Sequence, residues 1–167
     1  GGEFLVGEYR SFRRVAHLSY VPLPGGDAAI KRPYRMAFSH LYSTFGQEWQ
    51  SLQIPFVDRL GDSEARLLLR QIQRGLNAPL TSSSGRLFDA VSSLIGVRDQ
   101  VNYEGQAAIE MEMMADPTVT ESYEWRFRRL EGGVLVIDTA SIIAAVVRDI
   151  QCGQPTSAIA ARFHNTI

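Results

Sequence analysis

The sequence predicts an α+β fold that is mainly α-helical, and three observations predict it. Six segments repeat apolar residues at the three-to-four-residue spacing of an amphipathic helix. Shorter segments near the start and past the middle alternate apolar with polar residues around turn signals, which predicts two small β hairpins. No internal repeat or low-complexity stretch interrupts this layout. At 167 residues the chain fits one domain and can bury a sizeable core.

Strands come first, over residues 1–21. Phe4–Val6 and Arg13–Val21 carry aromatics and valines in alternation, as a hairpin or two neighbouring strands. Pro22-Leu23-Pro24-Gly25-Gly26-Asp27 ends the second strand, and Asp27 is placed to cap a short turn running to Ile30. Residues 27–75 read as a helical region. Pro33 suits a first helical turn, where its missing N–H costs nothing. Met36, Phe38, Leu41, Tyr42 and Phe45 then recur at helical spacing up to Gly46. Trp49 to Leu60 is loop or short helix. Asp62 or Ser63 caps the next helix, with Leu67, Leu68, Leu69 and Ile72 as its inner face and Gly75 as its stop. Asn77-Ala78-Pro79 breaks the chain.

Residues 81–115 hold two helices. Ser82 or Ser83 caps the first, which carries Leu87, Phe88, Val91, Leu94 and Ile95 and ends at Gly96. The second runs from Glu104 to Met114, its methionines reading as core fillers, and Asp116-Pro117 ends it. Over residues 123–137, Tyr123–Arg129 and Val134–Ile137 flank Glu131-Gly132-Gly133, a hairpin signal. Residues 139–167 close with two helices. Ser141–Gln151 is strongly apolar and stops at Gly153; Pro155-Thr156 opens the last, with Ile159, Ala160 and Phe163 inward.

Composition narrows the function. A net charge of −1 argues against a general nucleic-acid or membrane-surface binder. Basic residues are nearly all Arg, Lys31 being the one lysine. Arg suits planar contacts to carboxylate or phosphate, although a compositional bias explains the excess equally well. One cysteine, Cys152, excludes an intrachain disulfide and a multi-cysteine metal site, and it reads as a buried structural thiol. No signal peptide or apolar run of transmembrane length is present, so a cytoplasmic location is the expectation. The opening at Gly1-Gly2-Glu3, already strand-like, and the close within a helical pattern suggest a piece of a longer polypeptide.

Chemistry concentrates at two helix starts, Thr81-Ser82-Ser83-Ser84-Gly85 and Tyr103-Glu104-Gly105-Gln106. Helix N-termini expose unpaired N–H groups and the positive end of the dipole, which suits phosphate or carboxylate. Asp89 sits one turn into the first helix, where it could accept hydrogen bonds from ribose hydroxyls or hold a water. It is equally a carboxylate placed favourably in the dipole field. The serines are equally ordinary caps, and Glu104 ordinary dipole complementarity. Arg86 is a cation in a first turn, mildly unfavourable there, which hints at an anionic partner or a surface contact. Gly25-Gly26-Asp27 lacks the Lys and Ser/Thr of a phosphate loop and reads as a turn. His17, His40 and His164 are scattered without metal-ligand spacing and read as structural or surface residues. No Ser/His/Asp or Cys/His set emerges, so catalytic residues stay unassigned.

Several segments together resemble one family, the HypF hydrogenase maturation carbamoyltransferases. They are Gly1–Leu5, Pro22–Ala29, Asn77–Val91, Tyr103–Glu110 and Arg162–Thr166, in the family's order along nearly the whole chain. The resemblance implies a much longer protein with acylphosphatase-like, zinc-finger and carbamoyl-adenylate-forming parts. Its last part is a transferase of the actin-like ATPase superfamily, related to the tRNA threonylcarbamoyladenosine transferases. This chain would be a partial actin-like domain with a helical insertion. Carbamoyl phosphate and ATP would give carbamoyl-adenylate, and the carbamoyl group would pass to the C-terminal cysteine of a partner, HypE. The thiocarboxamide so formed would become the cyanide ligand of nickel–iron hydrogenase. The resemblance places nucleotide contacts at Asp89 and Gly105, with Ser84, Gly85 and Gln106 beside them. Here the turn reads Glu-Gly-Gln where the related transferases have two adjacent glycines. The family's divalent-metal ligands fall outside Gly1–Ile167, so no metal and no transfer activity are expected of this chain by itself. The other expected partners are further domains of the same polypeptide. A different reading makes residues 27–75 a helical scaffold that docks a partner protein or neighbouring domain.

Overall fold

The structure, a computed structural model, describes residues 1–167. The chain opens with β1 (Glu3–Glu8), β2 (Ser11–Leu18) and the two-residue β3 (Val21–Pro22). Helices α1 (Pro33–Phe45), α2 (Pro55–Leu60) and α3 (Asp62–Arg74) follow. The short β4 (Leu80–Thr81) leads into α4 (Ser84–Leu94) and α5 (Gln106–Met114). Strands β5 (Phe127–Arg129) and β6 (Leu135–Ile137), then α6 (Thr139–Gln151) and α7 (Thr156–Thr166), complete the chain. The class is α+β and mainly helical, as the sequence predicts. No helix is long and apolar enough to cross a membrane.

The two hairpins do not stand apart. They join in one four-stranded sheet of order β1-β2-β6-β5, in which β2 runs parallel to β6. Ala16 pairs with Leu135, His17 with Val136 and Leu18 with Ile137. A parallel pair needs a long crossover, and here every element from α1 to α5 lies between the two strands. The seam continues past the strands, where the Ser19 and Thr139 hydroxyls lie 2.6 Å apart. The second strand also differs from expectation. It stops at Leu18, and Pro22 does not end the β structure but pairs with Leu80 in the small β3–β4 ladder. Proline is tolerated there because a two-stranded ladder leaves its missing N–H on an edge. Tyr123–Trp125 likewise lies outside β5.

Gly2 ties the sheet to the helices. Its N–H donates to the Ser82 carbonyl at 2.7 Å, and its own carbonyl accepts from the Leu18 N–H at 2.9 Å. A Cβ at this position would sit 2.5 Å from the Ser82 oxygen and 2.6 Å from Leu18 Cδ1. Only glycine lets β1 approach the start of α4 so closely.

The core is centred on α4. Leu87, Ala90, Val91 and Leu94 are buried on it, as are Ser92 and Ser93. Helix α1 packs along it through Ala37, Phe38 and Leu41, while α6 adds Ile142, Ile143 and Val146. Phe163 of α7 meets Phe88 edge-on, ring centres 4.9 Å apart. Tyr123 is buried beside these helices. Its hydroxyl donates to Asp149 at 2.9 Å, and Arg162 donates to the same carboxylate at 2.8 Å. Burial and that acceptor raise the Tyr123 phenol far above its ordinary range.

Four local expectations are corrected. Gly25 and Gly61, not Asp27 and not Asp62 or Ser63, occupy the cap positions, without side-chain caps. The acids instead fall inside the first turns, where the dipole favours them. On α3 it is Ala65 and Leu68 that are buried, whereas Leu67 is exposed. Of the α5 methionines only Met111 is core; Met113 is 82% exposed and Met114 is also exposed. Cys152 is exposed, because it follows the last turn of α6 at the helix cap.

These placements separate two kinds of substitution. Phe163→Ala should cost about 3–5 kcal/mol in chemical denaturation, and Met113→Ala within about 0.5 kcal/mol of zero. Equal effects would contradict the assigned core.

Candidate functional site

Helices α4 and α5 pack together. At the start of α4, Ser83 is the cap, as one of the two expected serines. Its Oγ accepts from the Arg86 N–H at 3.4 Å, and its own N–H donates to Thr81 Oγ1 at 3.1 Å. The Ser84 and Gly85 amides have no backbone or side-chain acceptor in the chain. They are the unpaired donors of a helix start. Ser84 and Gly85 are both half-buried.

The start of α5 is built differently. Gly105 occupies the cap with φ 81°, in the left-handed region that glycine reaches at no steric cost. Gln106 follows and is buried, but both ends of its amide are engaged. Its Oε1 accepts from the Asn102 N–H at 2.8 Å, and its Nε2 donates to Glu110 at 2.9 Å. Arg98 also donates to Glu110, at 2.9 Å through Nη2. The Gln106 side chain thus folds the turn that presents Gly105.

Asp89 is the most perturbed acid of the region. It is 4% exposed. Burial pushes its carboxyl up to about 6; the Arg86 cation pulls it down, and Glu104 pushes it up again. Arg86 Nε lies 3.1 Å from Asp89 Oδ2, within ion-pair range. The two are not aligned for a hydrogen bond, so Asp89 Oδ2 and Arg86 Nη1 are enclosed without hydrogen-bond partners. Enclosed polar atoms without a hydrogen-bond partner are costly.

The sequence pointed to Asp89, Ser84, Gly85, Gly105 and Gln106; the structure places the first three on α4, Gly105 at the α5 cap and Gln106 in its first turn. Arg86 was read there as facing an outside anion or the surface; its nearest charge is Asp89. The three-residue spacing of Arg86 and Asp89 on one helix was the available signal. His40 of α1 lies behind the α4 start, lining a small space with Ser82, Ser83 and Leu87. Burial lowers it to about 4, so it stays neutral. No three His, Cys, Asp or Glu side chains come together as a metal site. The chain's own donor set therefore does not fit the metal implied by the resemblance.

A family model described as the carbamoyltransferase Kae1-like domain, second subdomain, matches residues 1–167. The chain is 35% identical to the carbamoyltransferase HypF of Synechocystis over all of its length and 23% of that protein. It is 42% identical to the HypF of Rhodobacter capsulatus over 71% of this chain and 15% of that protein. The crystal structure of a full-length HypF in its phosphate- and nucleotide-bound form superposes with a TM-score of 0.89 at 39% identity. That match covers 99% of this chain and 21% of the other. The HypF of T. kodakarensis superposes with a TM-score of 0.69 at 28% identity, over 89% of this chain and 20% of that one. The chain thus spans about a fifth of the length of these relatives.

The Asp89 carboxyl makes stability depend on pH with a definite sign. Its folded value, about 6, lies above the ordinary 3.8. The protonated side chain therefore favours the fold below pH 3.8, and that advantage is lost as pH rises through 6. The full loss is at most about 3 kcal/mol, at about 1.4 kcal/mol per pKa unit. Asp89→Asn should be at least as stable as the wild type at pH 7, with the gap closing near pH 4. Urea titrations of both chains at the two pH values measure it; a gap that widens on acidification would refute the assigned burial.

Proposed function

The chain belongs to the HypF carbamoyltransferase family, and on that premise we propose that it forms one wall of a nucleotide cleft in a longer carbamoyltransferase. The observation that carries this reading is the enclosed, under-bonded Asp89 in the second turn of α4, which packs against α5. The Ser84 and Gly85 amides and the glycine turn at Gly105 supply donors and room for close approach of a phosphate or ribose. A full-length relative whose structure contains phosphate and nucleotide supports the same ligand class.

In this reading the longer protein converts carbamoyl phosphate and ATP to carbamoyl-adenylate and passes the carbamoyl group to the C-terminal cysteine of HypE. The product serves cyanide-ligand synthesis for nickel–iron hydrogenase. Asp89 accepts hydrogen bonds from the ribose, and the helix starts orient the nucleotide. Orientation of this kind lowers the barrier by fixing the reacting groups before chemistry. The divalent metal that assists the transfer is held by residues outside this chain. This chain alone transfers no carbamoyl group.

Asp89→Ala in the full-length protein should raise the KM for carbamoyl-adenylate in transfer to HypE about 10- to 100-fold, the worth of one or two hydrogen bonds to a charged acceptor, and leave the fold intact. HypE carbamoylation at varied carbamoyl-adenylate concentration measures it. An unchanged KM would remove Asp89 from the nucleotide site.

A further inference from the structure

Helix α3 carries a face that the core does not use. Arg66, Arg70 and Arg74 recur every four residues on it, so they stack turn upon turn along about 12 Å of one side. All three are exposed. The ion pairs of the chain engage Arg14, Arg35, Arg59, Arg86, Arg98 and Arg162, and they leave this strip free. Leu67, 45% exposed, lies on the same side of the helix, three residues before Arg70. Like charges at four-residue spacing weaken a helix. The helix dipole favours a cation only in the last turn, which accounts for Arg74 and not for the other two. Glu64 does not offset them, since its Oε1 accepts from Tyr34 at 2.8 Å and from Arg35 at 3.0 Å. Beside the strip is a cavity of about 420 Å³. Trp49, Val57, Ala65 and Leu69 give it apolar walls, with Asp62 and Arg66 as its charged lining. Arg66 thus belongs to both the strip and the cavity.

We propose that this face of α3 docks an acidic, amphipathic segment of a partner protein, whose carboxylates meet the arginine strip while one apolar side chain enters the cavity. Helix α3 is not part of the candidate nucleotide cleft, so this role stands or falls without it. Charge complementarity selects the partner: a guanidinium fork pairs with a carboxylate through two parallel hydrogen bonds. Phosphates would meet the same charges, but the strip is short and the chain as a whole carries a net charge of −1. The cavity separates the cases. A phosphodiester backbone has no apolar side chain to fill it, and a flat bilayer surface does not reach into it. An amphipathic helix supplies both features, with anchors and acids at successive turns. Arginine and a walled apolar pocket are also the features that concentrate binding energy in protein interfaces.

The test is fluorescence anisotropy of a labelled synthetic helical peptide, with glutamates along one face and a central leucine, titrated with the full-length protein. The peptide should bind, with an affinity that falls roughly tenfold or more between about 50 and about 500 mM salt. Replacing its leucine by serine should weaken binding several-fold, through loss of the cavity contact. Arg70→Glu in the protein should weaken it roughly tenfold or more, because like charges then face each other. The same substitution should leave the urea midpoint unchanged or raised, since a glutamate there has an arginine four residues away on either side. The proposal is overturned if the peptide does not bind, if Arg70→Glu leaves its affinity unchanged, or if the serine peptide binds equally well. A marked loss of stability in Arg70→Glu also overturns it, because the strip then has a partner within the protein. Double-stranded DNA, phosphatidylserine vesicles or a second copy of the protein binding through Arg70 in the peptide's place would overturn it in favour of that class.

Discussion

Burial of α4 along most of its surface is the constraint on which the other elements depend. Small residues make it possible. Ala90, Ser92 and Ser93 on α4 and Ala37 and Ser39 on α1 are all fully enclosed among the larger Phe38, Leu41, Leu87 and Val91. Ser39 Oγ, freed from any packing role, donates to the Pro22 carbonyl at 2.5 Å and fastens β3 to the pair. Helices α6 and α7 then close over the remaining sides of α4 with Ile142, Ile143, Val146 and Phe163. Interiors packed to this density do not forgive a change of volume at the centre.

The same burial shapes the candidate site. A helix covered on most sides has few places for a charge, and Asp89 lies at one where the cover is nearly complete. Its carboxyl is therefore kept near neutrality by a balance of burial, Arg86 and Glu104 rather than by solvent. Gly2 belongs to the same arrangement, for it pins the first strand to the carbonyl of Ser82, one residue before the α4 cap. The start of α4 is thus held from the sheet side while its second turn carries the acid.

Much of this was readable locally. The helices of residues 33–46, 62–75, 83–96 and 104–114 follow from apolar spacing and glycine stops, and each is present within a few residues. Ser83 as a cap and Gly105 as a turn follow from the hydrogen-bonding and steric habits of those residue types. Asp89 stood out because of its place one turn beyond a serine-rich start. Where local reading failed, the cause lay in distant segments. Met113 and Leu67 are apolar but face outward because no other element covers those sides of α5 and α3. Cys152 is exposed because α6 ends before it.

By itself the sequence determined where helices begin and end, which turns need glycine, and which short polar segments could meet an anion. Those properties depend on hydrogen bonds and sterics within a few residues of one another. Only the tertiary structure decided that β2 and β6 pair in parallel across the whole helical region, which merges two hairpins into one sheet. It alone decided that Asp89 is enclosed and that Arg86 lies beside it. Burial and charge balance are sums over everything that surrounds a group, and those surroundings come from segments far apart in the chain.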